Sequence, residues 1–125
     1  MSRFDPYAYV LLRIVTGLLF LIHGTSKIVG FPPEAAMKGP LPKIVMVSGW
    51  IELVTGLLIA LGIFTSYAAF IAAGEMAVAY FTAHWKMGHA SFWPLVNKGE
   101  LAVLYCFVFL FIFAHGSGKW SVMKR

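Results

Sequence analysis

Three apolar stretches of membrane-spanning length, each with ionisable residues inside it, constrain this chain more than any other feature. Residues 7–29, 44–64 and 67–85 each approach the ~20 residues that an α-helix needs to cross a ~30 Å hydrocarbon core. A fourth apolar run, residues 101–114, has only 14 residues. It reaches spanning length when extended to residues 97–118, with Pro94 or Asn97 as the start signal. That extension puts Glu100 in the first turns of the fourth span.

Composition says what such segments face. Hydrophobic residues make up 60% of the 125-residue chain and charged residues 12%. So few charges cannot cover the apolar surface of a soluble domain this small, so the surface faces lipid. The expected fold class is all-α: an integral membrane four-helix transmembrane bundle, with residues 1–125 as one domain. The first segment follows Arg3 but is interrupted by Arg13 and shows no small-x-small cleavage site, so it is expected to be a retained span rather than a signal peptide.

The formal net charge is +5, with basic residues mostly at segment ends. This suits anionic lipid headgroups, and the absence of a basic stripe along any helix argues against a nucleic-acid partner. Residues 30–42 are rich in Pro and Gly, residues 62–66 form a tight turn, and residues 86–96 form a loop carrying His89, Phe92, Trp93 and Pro94. Tyr7, Tyr9, Tyr67 and Trp120 then fall on the N-terminal side of the membrane, here side A. Phe31, Trp85, Phe92 and Trp93 fall on side B, which makes two aromatic girdles. Side A carries Arg3, Lys119, Lys124 and Arg125, and side B carries Lys38, Lys43, Lys86 and Lys98. The compact C-terminal Lys-Arg pair points to cytoplasmic termini.

The helical period sorts the polar residues. At 100° per residue, Arg13, Thr16, Gly17, Phe20, His23, Gly24 and Lys27 share an arc of roughly 120° on span one. Ser48, Gly49, Glu52, Thr55 and Gly56 share a face of span two. Ala68, Ala72, Glu75, Ala79 and Thr82 share a face of span three. Small residues let helix backbones approach closely, so the polar side chains are expected to meet inside the bundle. By depth, Arg13, Glu52 and Glu75 form a midplane set, while His23, Lys27 and Glu100 lie toward side B. The expected pairings are Arg13 with Glu75 or Glu52, and Lys27 with Glu100.

A charge at the bilayer centre costs at least ~2.5–3.5 kcal/mol, so such residues are paired or functional. Arg13, His23, Lys27, Glu52, Glu75 and Glu100 are the candidate binding or proton site. Two readings stand side by side: a midplane carboxyl that carries a proton, and charges that only hold the helices together. His23 and His84 permit a bis-histidine haem site by depth, but no metal-ligand spacing supports it. The phenylalanines at 107, 109, 111 and 113 suit lipid-facing packing, and Cys106 suits an inert buried thiol. With a single cysteine there is no intrachain disulfide and no cysteine zinc site, and no metal site is expected.

Several motifs resemble a known family. Arg13-Ile-Val-Thr-Gly17-Leu-Leu-Phe20 followed by His23-Gly24-Thr-Ser-Lys27 resembles the opening of the DoxX family of small bacterial four-helix membrane proteins. Gly49-Trp-Ile-Glu52, Gly56-Leu-Leu and Leu61-Gly62 resemble its second helix. Asn97-Lys98-Gly99-Glu100 resembles the entry to its fourth, and Gly116-Ser-Gly118-Lys-Trp120-Ser121 its C-terminal signature. The family commonly continues with an aliphatic residue and an acid, where this chain has Val122-Met123-Lys124. The resemblance implies a bacterial inner-membrane protein tied to a quinone-linked oxidoreductase system. It carries over Arg13, Lys27, Glu52, Gly99 and Glu100 as family-pattern positions, and no catalytic residue.

Three functions compete. The first is a subunit or partner of a membrane redox system. The chain has no paired cysteines, dinucleotide loop or nucleophile triad, so quinone or a partner protein must supply the electron carrier. The second is a small-solute or proton-coupled transporter, with a homo-oligomer supplying further spans. The third is a scaffold or anchoring subunit without catalysis.

Overall fold

The computed structural model describes residues 2–31, 33, 42–81 and 99–122. Four α-helices account for most of them: α1 (Asp5–Ile28), α2 (Lys43–Leu61), α3 (Thr65–Ala79) and α4 (Glu100–His115), with a short 3₁₀ turn at Ser2–Phe4 ahead of α1. No strand occurs among the described residues. Both α1 and α2 are long and apolar enough to cross a membrane. Helix α3 continues through a wider turn at Tyr80 and Phe81. The expected spans at 82–85 and 97–98 lie outside the described residues.

The outside of the bundle is as apolar as its core, unlike that of a water-soluble one, and the α1–α2 seam buries small and polar residues. On α1, Leu11, Val15, Leu18 and Ile22 face outward, while Arg13, Thr16, Gly17 and Gly24 are buried. On α2, Gly49, Glu52, Thr55 and Gly56 are buried while Val47, Trp50, Val54 and Leu57 are exposed. An apolar exterior around helices that bury glycines and charged side chains where they meet is the signature of helices solvated by lipid. The chain is an all-helical membrane bundle.

Helix α1 packs mainly on α2, and α3 on α4, with α2 and α3 joining the two pairs. Close backbone approach sets the first pair. A Cβ on Gly17 would stand 2.6 Å from the Ala60 nitrogen, and one on Gly24 would stand 2.5 Å from the Leu53 nitrogen. Gly56 faces back onto Leu21 and Gly17. As numbering rises along α1 it falls along α2, so the helices are antiparallel, with glycines seven residues apart on each meeting in register.

Helix α2 ends at Gly62, whose φ of 75° closes the turn. Helix α4 ends at His115. Residues 116–118, expected to continue the fourth span, instead leave the helix at Gly116, where φ is 93°. The segment beyond folds back across the side-A end of the bundle. The Val122 N–H donates to the Leu61 carbonyl at 2.9 Å, and Ser117 Oγ donates to Thr65 Oγ1 at 2.9 Å.

Candidate functional site

One ion pair occurs among the described residues, and it meets α2 at its middle. Lys27 Nζ donates to Glu52 Oε2 at 2.8 Å, to Oε1 at 2.9 Å and to Ser48 Oγ at 3.0 Å. Glu52 lies nine residues from either end of α2 and is 1% exposed. At 1.5 Å per residue that is ~13 Å from each end of the helix. Lys27 belongs to the last turn of α1 and reaches inward to meet it. The expected pairing of Lys27 with Glu100 is therefore corrected. Antiparallel register sets Lys27 beside Ser48 and Gly49, one turn from Glu52, whereas Glu100 is exposed in the first turn of α4.

Glu75 joins this pair from α3. It lies in the electrostatic field of Glu52 and Lys27, and its Oε1 is buried with no hydrogen-bond partner among the described residues. His23 stands on α1, one turn before Lys27, in the electrostatic field of Lys27 and Glu52. Its ring meets Tyr105 of α4 edge-on, with centroids 5.7 Å apart. Tyr105 stacks on Phe109 and tilts against Phe20, both fully buried. All four helices thus contribute: His23 and Lys27 from α1, Ser48 and Glu52 from α2, Glu75 from α3, Tyr105 from α4. His23 itself is exposed at the bundle surface, off the buried part of the face that the helical period assigns to it.

Arg13 does not belong to this cluster. It is fully buried, and its Nη1 donates to the Ser117 carbonyl and, at 3.0 Å, to that of Lys119. Its Nη2 donates to the Trp120 carbonyl at 3.0 Å. The expected pairing with Glu52 or Glu75 is corrected for a geometric reason. Arg13 Nη1 lies 3.2 Å from where a Cβ on Gly62 would sit, which places it level with the end of α2 rather than its middle. The guanidinium fork anchors the returning C-terminal segment instead. Tyr9 helps from one turn earlier: its hydroxyl donates to the Gly116 carbonyl, and its ring stacks on His115 at 3.7 Å.

Ser48 and Tyr105 complete the cluster and are not singled out by sequence as site residues. Ser48 carries a readable signal, since it lies four residues before Glu52 on the same face. Tyr105 stands in an apolar and aromatic run where only its hydroxyl marks it. His84 and His89, including the haem pairing of His23 with His84, lie outside the described residues.

Chemically, the cluster joins one ammonium, two carboxyls, an imidazole and a phenol in an apolar surround. It can bind a small polar headgroup and can hold or pass a proton. Comparison with known proteins gives the setting. The DoxX family's sequence profile matches residues 8–85, which include His23, Lys27, Ser48, Glu52 and Glu75. A protein of Haemophilus influenzae, itself described as uncharacterized, is 40% identical over 130 residues, covering 100% of this chain and 95% of that protein. No solved structure matches the chain.

Proposed function

The chain belongs to the DoxX family of membrane proteins, and we propose that it serves as a subunit or partner of a quinone-linked redox system. One arrangement carries the proposal. The side chains of His23 and Tyr105 offer hydrogen-bond donors with no hydrogen-bond partner among the described residues, beside the Lys27–Glu52 pair, with the Tyr105 ring backed by the buried Phe20 and Phe109 and His23 open to the bundle surface. A quinone headgroup is planar, apolar on both faces and carries carbonyl acceptors, so these residues fit it. When bound, the quinone supplies the electron carrier that no residue type here provides. Lys27 and Glu52 hold the polar end of the site in place, and the surrounding rings exclude water. The proposal seats the protein in the bacterial inner membrane with both termini cytoplasmic, beside a redox partner protein or a second copy of itself.

The test is binding. Protein purified in lipid nanodiscs is expected to carry quinone into a lipid extract and to bind a short-chain ubiquinone, read by tyrosine and tryptophan fluorescence. His23→Ala combined with Tyr105→Phe removes two donors, each worth about 1 kcal/mol. The pair is expected to weaken binding about tenfold or more. An extract free of quinone together with no titratable binding sinks the proposal. Proton flux in proteoliposomes that Glu52→Gln abolishes favours a proton-coupled carrier in its place.

A further inference from the structure

We propose that the side-A end of the bundle binds the phosphate of an anionic phospholipid, and that the bound lipid holds the C-terminal segment closed over the bundle. The site is assembled from the two ends of the chain. Lys119 lies over the Tyr7 ring of α1, its Nζ 5.4 Å from the ring centroid. The Trp120 ring tilts against the same tyrosine at 5.8 Å. Arg3 lies over Phe4 at 5.0 Å. Phe4 keeps a helical backbone, so Arg3 and Tyr7, four residues apart, fall on one face. All five side chains are exposed, Trp120 at 64%. Neither cation pairs with a described acid. Trp120 has a φ of 53°, in the left-handed region that a residue with a side chain rarely adopts. Arg13 fixes it there by donating to the carbonyls of Ser117, Lys119 and Trp120. Those carbonyls turn inward to Arg13, and the Lys119 and Trp120 side chains remain outside.

Depth and charge choose the occupant. Tyr7 stands in the first turn of α1 and Trp120 just beyond the end of α4, the level at which spanning helices meet lipid headgroups. The acid at this end is Asp5, which is exposed and makes no ion pair with a described cation. Against it stand Arg3 and Lys119, and the sequence continues after Val122 with Met123, Lys124 and Arg125. The remaining sequence does not reverse the sign: residues 82–98 carry Lys86 and Lys98 and no acid, and residues 34–41 carry Glu34 against Lys38. A cationic, aromatic surface at headgroup depth fits a phosphodiester whose acyl chains lie along the apolar helices. The surface exists only with the C-terminal segment closed, because Tyr7 belongs to α1 and Lys119 and Trp120 to that segment. A lipid that binds only the closed form stabilises it by mass action. None of this depends on the quinone proposal.

Hydrogen exchange of the full chain in nanodiscs tests the site. One set of discs holds phosphatidylcholine alone, and the other adds phosphatidylglycerol. A Lys or Arg near an anionic bilayer contributes about a fivefold factor in binding. Residues 116–122 are therefore expected to exchange about fivefold more slowly, or slower still, with phosphatidylglycerol, and to lose that gain in high salt. Arg3→Gln with Lys119→Gln is expected to remove most of the difference. Lys43→Gln, a charge lost from an exposed position at side B, is expected to keep it. All three substitutions are at exposed positions, so the bundle is expected to fold in each variant. Equal exchange in the two kinds of disc overturns the proposal. So does a difference that survives the double change, or one that Lys43→Gln removes as fully. Inorganic phosphate added to phosphatidylcholine discs is expected to leave the exchange unchanged. If it slows residues 116–122 as much as phosphatidylglycerol does, the ligand is free phosphate and the lipid assignment falls.

Discussion

Arg13 Nη2 donates to the main-chain carbonyl of Trp120 at 3.0 Å, tying the first helix to the last residues of the chain across 107 positions of sequence. Together with the Ser117 and Lys119 carbonyls, this makes a fully buried cation whose described partners are all main-chain oxygens. Arg13 is thus the fastening of a C-terminal strap over the side-A end of the bundle. Replacing it with leucine orphans three carbonyls. A hydrogen bond from a charged donor contributes about 1.5–3 kcal/mol. Arg13→Leu is therefore expected to lower stability by about 3 kcal/mol or more and to release residues 116–122 selectively. Hydrogen exchange read by mass spectrometry checks this. Protection of the strap equal to wild type contradicts the assignment.

The glycines of the α1–α2 seam and the glycine of α3 behave oppositely. A Cβ on Gly56 meets the Leu21 nitrogen at 2.6 Å, whereas one on Gly74 meets nothing within 4 Å. Gly56→Ala forces two helix backbones apart and is expected to destabilise by about 1–3 kcal/mol. Gly74→Ala fills open space on a helix surface and is expected to stabilise by about 0.4–1 kcal/mol. Denaturation of both variants in the same detergent decides. Equal effects refute the packing account.

Lys27 and Glu52 are expected to show strong coupling. Removing one partner of a buried pair costs about 3–5 kcal/mol, because the other charge is left without compensation. Lys27→Met alone is expected to fall in that range, and Lys27→Met with Glu52→Gln is expected to recover most of it. A double-mutant cycle on unfolding free energy measures the coupling. Additive losses show that the two residues do not act as a pair.

Ser117 and Thr65 share a hydrogen bond between two fully buried hydroxyls, joining the strap to the start of α3. Thr65→Val keeps the shape and removes the acceptor, with an expected loss of about 1 kcal/mol. Ser117→Ala on top of it is expected to add little, because the bond is already gone. Thermal melts of the single and double variants check this, and a full second loss speaks against the contact.

Much of the fold is legible in local spacing. The helical period alone puts Arg13, Thr16, Gly17, Phe20 and Gly24 on one face of α1, and all five are buried there. Glu52, Thr55 and Gly56 follow the same logic on α2. Periodicity is a property of one helix, so no partner is needed to read it. On α3 the packed face turns toward Ala69, Ala73 and Met76, leaving Glu75 half-buried at its edge. That rotation depends on where α4 lies, which spacing within α3 does not encode.

By itself, then, the sequence determined that this is a membrane bundle, which faces are small and polar, and which ionisable residues lie within the spans. Each of these follows from hydropathy and a 3.6-residue period. Only the tertiary structure decided the partners. The glycine contacts between α1 and α2 set a register that brings Lys27 to Glu52 and leaves Arg13 level with Gly62. The chain's return after Gly116 then offers Arg13 a set of carbonyls where a carboxylate was expected. A helix can be read from its own residues, but the register between two helices is fixed by how closely their backbones approach, and that is a property of the packed pair.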